Sequence, residues 1–152
     1  MNRKAFAVIG LALIILGSAS LVGAAGSCTP TPAPAYGAST KIHKWEWTSD
    51  TDGNVSGEGA ITRVSGMILM VRFVPGSGVS DLYDIEINDE NGVDVLQGVG
   101  ADLSNSASAS TNLKTPFTAE GGFVYLFQAT LTPKVQNAGN AKSGTIFLTV
   151  RQ

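Results

Sequence analysis

Leu82-Tyr83-Asp84-Ile85-Glu86-Ile87-Asn88-Asp89, followed by Glu90-Asn91-Gly92, is the stretch that decides the fold. Its apolar and polar residues alternate strictly. Successive side chains of a strand point to opposite faces, so Tyr83, Ile85 and Ile87 line a core face while Asp84, Glu86 and Asn88 face water. Asn-Gly then supplies the positive φ that a tight turn needs. The stretch predicts a half-buried antiparallel strand ending in a turn, with Val93–Leu96 pairing back.

The same grammar extends in both directions. Ile42–Thr48 has period two, with Trp45 and Trp47 on one side and Lys44 and Glu46 on the other. Asp50-Thr51-Asp52-Gly53-Asn54 reads as a hairpin turn, and Val55–Val64 as a returning strand loosened by Gly57 and Gly59. Met67–Val74 is apolar on both faces except at Arg72, which suits a central strand. Phe123–Thr132 is read as a long strand with Phe123, Tyr125, Phe127, Ala129 and Leu131 on one face. Lys134–Gly144 reads as a loop, and Thr145–Arg151 closes the chain with Ile146, Leu148 and Val150 inward. The run Ser104–Ser110 is small and polar, as in a surface loop. No segment after the N-terminus shows helical periodicity with caps. The expectation is an all-β protein: a single antiparallel β-sandwich or jelly-roll-like domain of about seven or eight strands, after an N-terminal signal helix.

The N-terminus differs in kind. Arg3 and Lys4 precede a stretch, Ala5 to Ala25, with no charged residue, and small residues follow it up to Ser27. A basic start, an apolar run and a small-residue exit are the three parts of a secretory signal. Ala25-Gly26-Ser27-Cys28 is similar to the lipobox of bacterial lipoproteins, except that Ala25 stands where leucine is usual. This predicts cleavage after Ser27 and lipidation of Cys28, with ordinary cleavage after Ala24 or Ala25 as the alternative. Pro30, Pro32 and Pro34 alternate with small residues and read as a semi-rigid tether. The expected organisation is a signal peptide over residues 1–27, a Pro-rich tether over 28–40 and a β-sandwich domain over 41–152.

Charge and composition narrow the function. The chain carries 10 Lys and Arg against 12 Asp and Glu. Removing Arg3 and Lys4 with the signal leaves a mildly acidic protein, a poor partner for nucleic acid or anionic lipid. Cys28 is the only cysteine, so no intramolecular disulfide can stabilise the fold.

Chemistry-bearing patterns are few. His43 is the only histidine and lies in a predicted strand with no nucleophile motif beside it, so it reads as structural. Zinc needs three or four His, Cys or acidic ligands, and the chain offers one His and one Cys. Asp84 and Glu86 have i,i+2 spacing, about 7 Å, which glycosidase carboxylates can share. Such pairs normally come from separate elements, so a solvated strand face is the expectation. Asp50, Asp52, Asp89 and Asp94 place oxygen ligands in turns and are candidate calcium ligands, but neither stretch fits an EF-hand. Trp45 and Trp47 could stack on a sugar or a partner, although two tryptophans on one strand face more often form core. No catalytic residue, cofactor or metal is expected, and the protein is read as non-enzymatic.

Trp45-Glu46-Trp47-Thr48-Ser49-Asp50 with Gly53, Tyr83-Asp84-Ile85, Asp89-Glu90-Asn91-Gly92-Val93-Asp94-Val95-Leu96 and Gly100-Ala101-Asp102-Leu103-Ser104 resemble a family of small β-rich tailed-phage structural proteins. The resemblance covers about residues 41–152 and implies a virion or decoration component. It brings no functional residues. The leading expectation is an exported cell-envelope protein, a lipid-anchored β-sandwich serving as a structural or binding module. It would meet the membrane through its N-terminus, with a protein partner or a homo-oligomer as further partners. A phage structural protein and a secreted carbohydrate-binding domain are the alternatives.

Overall fold

A computed structural model describes residues 24–31, 33, 39–106 and 113–152. Residues 1–23, most of the expected signal, lie outside the described residues. Among the described residues there are seven strands: β1 (Ser27–Thr31), β2 (Thr40–Thr48), β3 (Ile61–Pro75), β4 (Asp84–Asn88), β5 (Leu113–Lys114), β6 (Tyr125–Gln136) and β7 (Ser143–Arg151). All pairings are antiparallel, in the order β1-β2-β7-β3-β6-β4, with β5 on β3.

The expected all-β antiparallel class is present, but the two-layer sandwich is replaced by one strongly curled open sheet, a half-barrel. The reason lies in β6. Its first half pairs β3, from Tyr125 to Leu131, and its second half pairs β4, from Thr132 to Gln136. One strand thus turns the corner that a sandwich makes between two sheets. Its extension through Lys134 corrects the expected loop there. Val135 exchanges both backbone hydrogen bonds with Val55. Pro133 has the same parity, so its nitrogen, which has no hydrogen, points away from β4 and costs the ladder nothing.

The core fills the inside of the curl. Tyr83, Ile85 and Ile87 from β4 and its approach meet Trp45 and Trp47 from β2. Ile68, Val71 and Phe73 from β3 and Ile146, Leu148 and Val150 from β7 complete it. The period-two readings of β2, β4 and β7 therefore hold. The expected strand Val55–Val64 is strand only from Ile61, where it runs on through Met67–Val74 as the single fifteen-residue strand β3; ahead of it, Val55 makes only an isolated bridge to Val135.

Two compensating bulges shape the β3–β6 pair. Leu131 opposes Ile61 and Ala129 opposes Val64, so β3 carries one extra residue, near Arg63, whose φ is +59°. Leu126 then opposes Gly66, so β6 carries one extra residue, near Gln128, whose φ is +49°. An extra residue inverts which side chains face inward. Leu126 is buried while Phe127 points to water, contrary to the expectation that Phe123, Tyr125 and Phe127 share the face of Leu131.

The turns share one design. Asp50 and Asp89 each accept, through Oδ1, the amides two and four residues on. In both loops the first residue donates its amide to the fifth carbonyl, and the glycine amide returns to the first carbonyl. Thr118 repeats the backbone pattern, with Oγ1 accepting from Gly122. Gly53, Gly92 and Gly121 hold φ of +87°, +78° and +82°. These are three-residue loops, each a type I turn closed by a left-handed glycine.

A left-handed backbone is strained for a residue with a Cβ, and most so for a β-branched one. Gln128→Gly is therefore expected to leave thermal stability unchanged or slightly higher. Gln128→Val should lower it by about 1–2 kcal/mol. Equal melting curves for the two variants would contradict the bulge.

Candidate functional site

The residues singled out by sequence go to three places. Trp45 and Trp47 are core, so neither offers a stacking face, which corrects the platform reading. Trp45 is fully buried and donates Nε1–H to the Gly59 carbonyl at 2.7 Å. Trp47 lies against the Tyr83 ring, with centroids 6.2 Å apart, and over Gly144, where a Cβ would stand 2.5 Å from the indole. Trp47 Nε1 and the Tyr83 hydroxyl have no hydrogen-bond partner among the described residues.

Asp50, Asp52, Asp89 and Asp94, the calcium candidates, are turn residues. Asp50 and Asp89 spend Oδ1 on backbone amides, and this bonding holds the Asp89 carboxyl below its usual range. Asp94 accepts from Ile87 and Leu96 through Oδ1 and from Gly98 through Oδ2. Asp52 is an exposed loop residue whose amide Asp50 holds. No group of three or more His, Cys, Asp or Glu among the described residues is placed to hold a metal. Asp84 and Glu86 are likewise engaged. Asp84 accepts from the Asp102 amide and Asn137 Nδ2, and Glu86 pairs with Lys134 at 3.1 Å.

Cys28 and Ser27 belong to the sheet. β1 pairs β2 over its whole length, with Ser27 opposite Thr48 and Cys28 opposite Trp47. The residues expected to open the tether are thus an edge strand, and Pro30 is tolerated there because an edge has a free side. Cys28 is 5% exposed, and burial, with the Glu58 carboxylate nearby, pushes its thiol up to about 12. The Cys28 amide donates to Glu58 Oε2 at 3.4 Å. Gly26 is fitted as closely: a Cβ there would run into the Asn54 carbonyl. No helix among the described residues is long and apolar enough to cross a membrane.

The most exposed aromatic surface is on β6 and its approach. Tyr125 is 74% exposed and Phe127 84%. Phe123 and Phe117 are half exposed and pack ring against ring at a tilt, with centroids 5.4 Å apart. Beside Tyr125 and Phe127 lies an open groove of about 300 Å³ that Asp89, Glu90, Val93 and Gln97 help to line. Glu90 Oε2 accepts the Thr130 amide at 3.0 Å, capping a β6 donor that no strand uses. On the other flank, Tyr125 shares a second groove with Met67 and Arg151. The register places Arg151, Met67 and Tyr125 in one row across β7, β3 and β6. This is the candidate site: an aromatic ridge with an acidic flank and a basic flank. Sequence reading missed it because Phe123-Val124-Tyr125-Leu126-Phe127 is apolar on both faces. The available signal was chemical, since the aliphatic Val124 and Leu126 alternate with aromatic rings.

No family model, curated protein or solved structure matches the chain.

Two expectations follow. Removing the Trp45 indole N–H strands the Gly59 carbonyl, so Trp45→Phe should cost about 1–3 kcal/mol beyond lost packing. Tyr83→Phe deletes only an unpartnered hydroxyl and should be neutral or stabilising in denaturant melts. The reverse ranking would contradict these environments.

His43, whose Nε2 is buried without a partner, is held below its usual pKa by burial and by Lys41. The unfolded chain therefore takes up this proton first. Stability from the neutral imidazole is present above 6.5 and is lost as pH falls from there through the folded value. His43→Phe should flatten the fall in stability as pH drops below 6.5. An unchanged pH profile would contradict this.

Proposed function

We propose that the chain is a non-enzymatic, exported cell-envelope protein whose β-domain is a structural or binding module. The observation that carries the reading is the aromatic ridge of Phe123, Tyr125 and Phe127. Contiguous exposed apolar surface on a small domain marks an interaction site more often than a site of chemistry. Asp89 and Glu90 beside it each spend one carboxylate oxygen on backbone amides, which fixes their charges at the edge of the ridge and suits a contact surface. Export rests on Arg3, Lys4 and the uncharged run after them.

The two cleavage positions have different consequences for the sheet. Lipidation would attach a diacylglyceryl group to the Cys28 sulfur, and that group cannot share the core with Trp47. A lipidated chain would have to release β1 from β2. Cleavage after Ala24 or Ala25 keeps Gly26 against Asn54, Ser27 opposite Thr48 and the thiol inside. Cleavage therefore falls after Ala24 or Ala25, with Cys28 as a core residue and the remaining membrane contact transient.

Intact-mass analysis of the chain recovered from fractionated cells tests this. The expected species lies outside the cytoplasm, begins at Ala25 or Gly26, and has a thiol that alkylates only after unfolding. A chain starting at an acylated Cys28, or an unprocessed chain in the cytoplasm, would overturn it.

A further inference from the structure

We propose that the aromatic ridge is the interface of a symmetric dimer, and that its occupant is a second copy of this chain. The inference concerns the outer face of the half-barrel and does not depend on how the chain is exported.

Three observations carry it. The first is position. Arg151, Met67 and Tyr125 are cross-strand neighbours, and such neighbours project to the same side of a sheet. Ile68 and Val150, the next pair along, are buried, so this side is the outer one. Phe127 follows Tyr125 on it, at 84% exposure.

The second is area. A fully buried aromatic side chain contributes about 150–250 Å². Tyr125 and Phe127 at 74% and 84%, with Phe117 and Phe123 at 46% each, expose about 500 Å² on that scale. Val93, Met67 and the stem of Arg151 extend the patch. A standard interface takes about 800 Å² from each partner. The ridge is thus the right size for the centre of one, with a polar rim around it.

The third is charge. The ridge has Arg151 on the β7 side and Asp89 and Glu90 on the opposite side. A two-fold axis lying in the face and crossing β6 obliquely at Phe127, between the Tyr125 row that holds Arg151 and the Thr130 amide that holds Glu90, turns the second copy over. It lays Phe127 against its counterpart, with Tyr125 beside it. The same rotation brings each Arg151 over the acidic flank of the other subunit. An isologous contact requires this self-complementarity: if one residue meets another across the axis, the reverse contact forms too. A uniformly acidic or basic partner would meet a like charge on one flank. A second copy meets opposite charges on both.

Sedimentation velocity on the chain as recovered from the cells that make it tests the proposal, with circular dichroism to check each variant's fold. The wild type is expected to dimerise. Joint Tyr125→Ser and Phe127→Ser replacement removes two central rings from the surface, where the core does not need them. It should weaken dimerisation by about 30-fold or more, the range of interface hot spots. Arg151→Glu should weaken it, and adding Glu90→Arg to Arg151→Glu should recover much of the loss. A wild type that stays monomeric at high concentration leaves the ridge to some other partner and overturns the proposal. So does a dimer indifferent to the folded Tyr125/Phe127 variant, or a charge swap that restores nothing.

Discussion

The Gln128 amide leaves the β3–β6 ladder and donates instead to Ser65 Oγ across the strands at 2.8 Å. This bond lets β6 hold one residue more than β3 opposes, and much of the molecule depends on it. Beyond the bulge, Ala129, Leu131 and Val135 face the core. Before it, Leu126 faces the core and the aromatic residues do not. Without the extra residue, Phe127 would oppose Gly66 and the row of rings would be driven against the inside. Gly66 supports the same corner, because a Cβ there would strike the Arg151 carbonyl at the end of β7. The approach that needs glycine also brings Arg151 beside Tyr125.

The opposite end of the sheet is ordered by Trp45 and Trp47. They stand opposite Pro30 and Cys28 on one side and Ile146 and Gly144 on the other. Gly144 gives the Trp47 ring its place, and Gly59 answers the Trp45 N–H. β1 is therefore part of the wall around the indoles, and what happens to Cys28 is linked to the stability of β2. A thiol in this setting is a small apolar side chain first and a reactive group second.

Much of this was legible in the residues. Strict alternation in Ile42–Thr48, Leu82–Asp89 and Thr145–Arg151 fixes three core faces, because only one register buries each apolar set. The Asp-x-x-Gly turns announce themselves through residues whose side chains serve backbone amides. The β6 face was not legible, since a strand apolar on both sides carries no parity and a bulge is set by its partner. The half-barrel was hidden for the same reason, as it depends on one strand serving two neighbours. The role of Ser27–Thr31 was obscured by Pro30, which suits a tether and an edge strand alike. The ridge became visible as a site only when the bulge put its rings outside.

The register of β3 against β6 is the feature on which the ridge, and the dimer built on it, stand. Cross-strand backbone nuclear Overhauser contacts measure it directly. Contacts linking Ala129 to Val64 and Leu126 to Gly66 are expected, with Phe127 and Gln128 outside the ladder. An unbroken register, in which Phe127 lies opposite Gly66, would contradict this.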